Sequence, residues 1–228
     1  MTARHSTKRC PRVVGVISSG ADLKRATRMR GPPDLFELRL DHLAEIPDQV
    51  QRALKKLRRP LIITARDPHE GGANKLRLQQ RRDLLLRFLN QADYVDIELR
   101  SARALQLLLA NAKTQKVQRI VSFHDFKSTP SARMLAEKAR QARSHGADIF
   151  KVATRTDTPM ELARLLEFVT GSALDLSLAV MGIGKLGAIS RVLLAHAGSV
   201  LIYASITGVS DVEGQMSLEQ VRALGFGA

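Results

Sequence analysis

The chain predicts an α/β fold, a single-domain (β/α)8 TIM barrel, on three observations. Eight short runs of β-branched and aliphatic residues alternate with stretches of helical period. The runs recur about every 23–34 residues, the size of one βα unit. The 228 residues hold eight such units with little decoration, and no linker or low-complexity segment divides them.

Residues 1–11 carry Arg4, Lys8 and Arg9 and no acid, and are expected to form a flexible basic tail. The barrel domain is then 12–228. Its expected strands are 12–18 (RVVGVIS), 35–41 (LFELRLD), 60–66 (PLIITAR), 94–100 (YVDIELR), 119–125 (RIVSFHD), 149–155 (IFKVATR), 174–181 (LDLSLAVM) and 199–206 (SVLIYASI). Helical period is clearest at 76–90, 101–112, 131–145 and 158–169. A last helix is expected over 217–224, where Ser217 precedes Gln220 by three residues. Ser128-Thr129-Pro130 and Thr158-Pro159 read as helix starts. A doubly wound open sheet is the alternative, with fewer strands as a rule.

Net charge is +14, and the excess is uneven: residues 1–120 hold 25 basic against 12 acidic residues. Such a balance suggests nucleic acid first. The chain has only 7 Phe, 2 Tyr and no Trp, fewer rings than a base-stacking protein usually carries. The densest basic cluster, Lys55-Lys56 and Arg58-Arg59, falls on or just after an outer helix, away from the expected rim. The only cysteine, Cys10, has no internal partner, so a reducing compartment, the cytoplasm, is the default. No apolar run approaches the roughly 18 residues of a membrane span. The six histidines show no ligand spacing with Cys10, and no metal site is expected.

Parallel strands in such folds are normally apolar on both faces, yet several of these carry charge near their C-terminal ends. Glu37, Arg39 and Asp41 alternate on one face of the second strand. Arg66 ends the third, with Glu70 four residues on; Asp96 and Glu98 share a face of the fourth. Ser122 and His124 share a face of the fifth, Lys151 interrupts the sixth, and Tyr203 and Ser205 share a face of the eighth. Strand C-termini are where barrel active sites are built. Lys151 has two readings: a desolvated amine with a depressed pKa that attacks a ketone, or an ammonium neutralised by Glu98 or another neighbour. His124 is a candidate proton shuttle oriented by Glu70 or Asp125, or else a satisfied core histidine.

Gly182-Ile183-Gly184-Lys185-Leu186-Gly187 fits G-x-G-x-x-G but lies in the seventh unit and lacks the later ribose-binding acid. An anion site after the seventh strand is the better physical reading, with Arg191 on the next turn to clamp a carboxylate. The alternative is a flexible loop with a solvated Arg191.

Taken in order, FELRLD (36–41), TARDPHEGG (64–72), YVDIEL (94–99), SFHDF (122–126), ADIFKVA (147–153) and GAISRV (187–192) resemble the type I 3-dehydroquinate dehydratases over about Val13 to Leu224. The resemblance implies dehydration of 3-dehydroquinate to 3-dehydroshikimate in the shikimate pathway. Lys151 would form the imine, His124 would move protons, and Glu70 would orient it. Arg191 would bind the substrate carboxylate. Glu37, Arg39 and Arg66 would hold its hydroxyls and order the pocket. Ser210 and Gln215 would lie on the closing loop. Tyr203 stands where the family usually has Phe, and the 210–215 loop is one residue longer than the family's Ser-x-Pro-Gly-Gln. The protonated imine is itself the electron sink, so no cofactor is implied. A homodimer is implied, with no nucleic-acid or membrane partner. Two rivals are a class I aldolase acting on a sugar phosphate and a basic barrel that binds nucleic acid.

Overall fold

A computed structural model describes residues 10–171, 175–210 and 212–227, so the expected tail lies almost entirely outside the described residues. Eight strands alternate with helices. They are β1 (Arg12–Ile17), β2 (Leu35–Arg39), β3 (Leu61–Thr64), β4 (Tyr94–Glu98), β5 (Gln118–Asp125), β6 (Ile149–Arg155), β7 (Ser177–Ile183) and β8 (Leu201–Ser205). The helices are α1 (Gly20–Ala26), α2 (Pro47–Leu54), α3 (Leu78–Phe88), α4 (Leu99–Ala102), α5 (Gln106–Thr114), α6 (Ala132–Ser144), α7 (Pro159–Gly171), α8 (Gly187–Ala197) and α9 (Leu218–Ala223).

From β1 to β7 each strand pairs in parallel with its successor, and β1 also pairs with β8 through Val14 opposite Tyr203. First-to-last pairing separates a barrel from a doubly wound sheet, whose order reverses midway. At the remaining seam, Val200 N donates to Leu178 O at 2.8 Å and Val180 N to Ser199 Oγ at 2.9 Å.

The sheet's inner face is apolar below and polar above. Val14, Leu35, Ile62, Tyr94, Ile120, Ile149 and Leu201 form one buried cluster inside the barrel. Two residues further along six of these strands stand Glu37, Thr64, Asp96, Ser122, Lys151 and Tyr203. Two more give Arg39, Arg66, Glu98, His124, Ala153 and Ser205. Period-2 alternation therefore stacks the polar side chains on an apolar floor at the C-terminal end. The outer face packs on the helices, with Val121, Leu135, Phe150, Leu165 and Leu194 in one such layer.

Some expected boundaries move. β2 and β3 stop at Arg39 and Thr64, so Asp41 and Arg66 lie on the turns that leave the sheet. The stretch expected as one helix over 101–112 divides into α4 and α5. α6 is capped by Ser131, whose Oγ accepts from Met134 N, while Thr129 is buried against β6 and donates to Arg155 O. Ser217 and Gln220 form the expected reciprocal cap of α9. No helix among the described residues is long and apolar enough to cross a membrane.

Candidate active site

A cavity of about 390 Å³ opens at the C-terminal end of the barrel. Glu37, Arg39, Arg66, Glu70, His124, Lys151, Arg191, Tyr203, Ser210 and Gln215 all line it. The ten side chains come from strands, from the loops that follow them and, for Arg191, from α8, brought together by the common direction of the strands.

Lys151 is buried, but it is not a lone amine in an apolar strand. Its Nζ lies 2.9 Å from Asp96 Oδ2, 3.5 Å from Glu37 Oε1 and 4.1 Å from the centroid of the Tyr203 ring. The partner is Asp96, not Glu98. Arg66 spans both acids, donating to Asp96 Oδ1 and Oδ2 at 3.1 and 2.9 Å and to Glu98 Oε1 at 3.1 Å. Glu98 also receives Arg81 of α3. Burial alone would raise the Asp96 pKa, but the adjacent Arg66 and Lys151 outweigh it and hold the carboxyl far below the usual range. The same two acids hold the Arg66 guanidinium well above its ordinary pKa against the opposing effect of burial.

Above this layer, Glu70 Oε2 accepts from both the backbone N and the Nδ1 of His124, at 3.0 and 2.9 Å. Asp125, the other possible orienter, instead accepts from Lys127 N and Ser128 N. Burial, then the charge of Glu98, pushes the Glu70 pKa up to about 7. Burial, then the cations Arg66 and Lys151, moves His124 well below its ordinary value, so its imidazole is neutral. With Nδ1 as donor to Glu70, Nε2 is the nitrogen with a free lone pair.

Arg191 is buried on α8, where Nη1 donates to the carbonyls of Gly182 and Gly187. Its Nε has no partner, and no carboxylate among the described residues is paired with it. Burial alone lowers its pKa to about 10. Arg39, by contrast, is held by Asp41 through two bonds of 3.0 and 2.8 Å. Arg191 is thus a cation preorganised at the cavity wall with its charge uncompensated. The Tyr203 hydroxyl is likewise buried without a partner.

The glycine-rich loop is not an anion cradle. Gly184 N, Lys185 N, Leu186 N and Gly187 N already donate to Glu213 O, Asp157 Oδ1, Thr156 O and Gly184 O. Its glycines serve close packing instead. A Cβ on Gly187 would sit 2.9 Å from Gly214 Cα, and Gly214 has φ +77°. This contact seats the loop after β8, on which Ser210 Oγ donates to Gln215 Oε1 at 2.5 Å.

A family profile described as type I 3-dehydroquinase matches residues 15–225. The chain belongs to the type I 3-dehydroquinase family. It is 31% identical to a 3-dehydroquinate dehydratase of Methanocaldococcus jannaschii over 89% of this chain and 90% of the relative. It is 33% identical to one of Shouchella clausii over 84% and 80%. The crystal structure of 3-dehydroquinate dehydratase from Geobacillus kaustophilus superposes with a TM-score of 0.85, at 29% identity, covering 94% of this chain and 89% of that one. Membership makes the protein a lyase acting on a carbon–oxygen bond.

Two residues of the site are not singled out by the sequence. Asp22 lines the cavity, buried, and accepts from Ser18 N, Ser19 Oγ and Thr207 Oγ1. The Ser19-x-x-Asp22 spacing at the start of α1 was its available signal. Arg81 is fully buried beneath Glu98, but nothing distinguishes it in sequence from the neighbouring Arg77, Arg82 and Arg87.

Proposed function

We propose that this chain dehydrates 3-dehydroquinate to 3-dehydroshikimate through an imine on Lys151, with His124 as the proton carrier and Glu70 orienting it. Family membership supports the reaction. The observation that carries the residue assignment is the presence in one cavity of the buried Lys151 amine, the neutral His124 and its Glu70 partner.

The Lys151 amine attacks the C3 ketone, and loss of water from the carbinolamine gives the imine. Asp96 is held too firmly ionised to take the amine's proton, whereas His124 enters with a free Nε2 lone pair. Removal of a proton at C2 by His124 leaves an enamine conjugated with the nitrogen. His124 returns that proton to the C1 hydroxyl, which departs as water. Hydrolysis of the imine frees Lys151, so one water is lost overall. Asp96, 2.9 Å from Nζ, remains as counter-ion to the cationic imine. Arg191, lacking a counter-ion, takes the substrate carboxylate. Glu37, Arg39 and Arg66 contact hydroxyls and order the pocket. Tyr203 lies under the imine nitrogen, and Ser210 and Gln215 close over the substrate.

The test is incubation with 3-dehydroquinate followed by borohydride reduction and peptide mapping. A reduced substrate adduct on Lys151 is expected, and its absence sinks the imine mechanism.

The Glu70–His124 pair gives a pH prediction. Only ionised Glu70 accepts from Nδ1–H and leaves Nε2 basic, so kcat/KM should rise with pH along a limb near 7. Glu70→Gln should lower kcat roughly 10²-fold and remove that limb. An unchanged limb in the variant would reassign it to another group.

A further inference from the structure

A second cleft, of about 590 Å³, lies against α1 and is lined by Lys24, Arg25, Arg28, Arg30 and Arg222 together with Thr207. Its lining includes no acidic residue, and none of the five cations is paired with a carboxylate among the described residues. Two of the guanidiniums are anchored through backbone carbonyls, which leaves their charge uncompensated. Arg25 Nε donates to Ile206 O at 2.8 Å, and Arg222 donates to Gly31 O.

Ala21, Lys24, Arg25 and Arg28 fall at i, i+3, i+4 and i+7, one face of α1 and the turn that continues it. At 1.5 Å per residue that face runs for about 10 Å. The span suits two or three linked phosphates and exceeds a single one. The lining has no aromatic side chain on which a nucleobase could stack.

We infer that this cleft is a second binding site, for a linear polyphosphate group, coupled to the substrate loop through Arg25. The Arg25–Ile206 bond and the Thr207–Asp22 bond, 2.9 Å, fix the start of the chain segment that carries Ser210 and Gln215 to the catalytic cavity. An anion drawing on the Arg25 guanidinium acts on the same segment.

The experiment titrates the full chain with inorganic tripolyphosphate by calorimetry at low salt, and repeats 3-dehydroquinate kinetics with tripolyphosphate present. Saturable binding and an altered KM are expected. Lys24→Glu with Arg28→Glu, both exposed positions, should weaken binding at least about tenfold and abolish the KM effect. Lys55→Glu with Lys56→Glu makes the same charge change elsewhere and should leave both intact. Arg191→Gln should leave binding intact. Equal loss in the Lys55/Lys56 variant would reduce the effect to net charge and overturn the site. Loss in Arg191→Gln would place the anion in the catalytic cavity and overturn it equally. Binding with unaltered KM would overturn the coupling. A nucleoside triphosphate binding more tightly than tripolyphosphate would identify a nucleotide as the source of the phosphates. An oligonucleotide binding more tightly than both, through Lys24 and Arg28, would replace the proposal with a nucleic-acid surface.

Discussion

Lys151→Ala is expected to lower turnover of 3-dehydroquinate by at least about 10⁴-fold while the substrate still binds. The size follows from the chemistry. In the proposed mechanism there is no imine without the amine, and the carbanion at C2 loses its electron sink. Binding survives because Arg191, Arg39 and the loop residues are separate from the nucleophile. The fold should survive as well, at reduced stability because the buried acids lose one cation. Asp96 keeps Arg66 and the Ser122 hydroxyl, 2.6 Å away, and Glu37 keeps the Thr64 hydroxyl at 2.8 Å. Formation of the conjugated enone, followed by absorbance, gives the rate; calorimetry gives the affinity; circular dichroism checks the fold. Turnover within tenfold of the unaltered protein would remove Lys151 from the mechanism. Loss of both turnover and binding would mean that the ammonium mainly organises the pocket.

The barrel was legible because buried parallel strands leave a strong trace. Ile149, Phe150 and Val152 flank Lys151 in a run that no amphipathic helix would show. The rim was legible for a related reason. Once the strands are known to be parallel, polar residues on the inward face near their C-terminal ends must share one mouth. The pairing was not legible. Asp96 and Glu98 share one strand face, and only the tilt of the barrel decides that Asp96 meets Lys151 while Glu98 turns to Arg66 and Arg81. The glycine-rich 182–187 loop misled for another physical reason. Glycine serves close backbone packing as readily as anion binding, and the acceptors that occupy its N–H groups come from distant segments, Thr156, Asp157 and Glu213. α8 escaped notice because Gly187, Ala188, Ile189 and Val192 to Ala195 leave little contrast between its faces.

Arg66→Met should be the most destabilising change in the site. Arg66, Arg81 and Lys151 face Glu37, Asp96 and Glu98 in a buried group whose charges offset one another. Methionine fills most of the volume but leaves one carboxylate in excess, and stranding a buried charge costs about 3–5 kcal/mol. For a chain of this size that lowers Tm by roughly 10 °C. The pH dependence separates charge from packing. In the unaltered protein the Asp96 pKa is depressed, so its contribution to stability is fully present above the unfolded value near 4 and is lost as pH falls below it. Without Arg66, burial instead raises the carboxyl pKa. The native state then binds more protons than the unfolded state between about pH 4 and that raised value, and stability falls as pH rises through this window. The deficit of the variant should therefore be larger at pH 7 than at pH 5 when both are measured by urea unfolding. An equal deficit at the two pH values would mean that Arg66 acts through packing, and would leave Asp96 without the electrostatic restraint by which, in the proposed mechanism, it is kept from competing with His124 for the Lys151 proton.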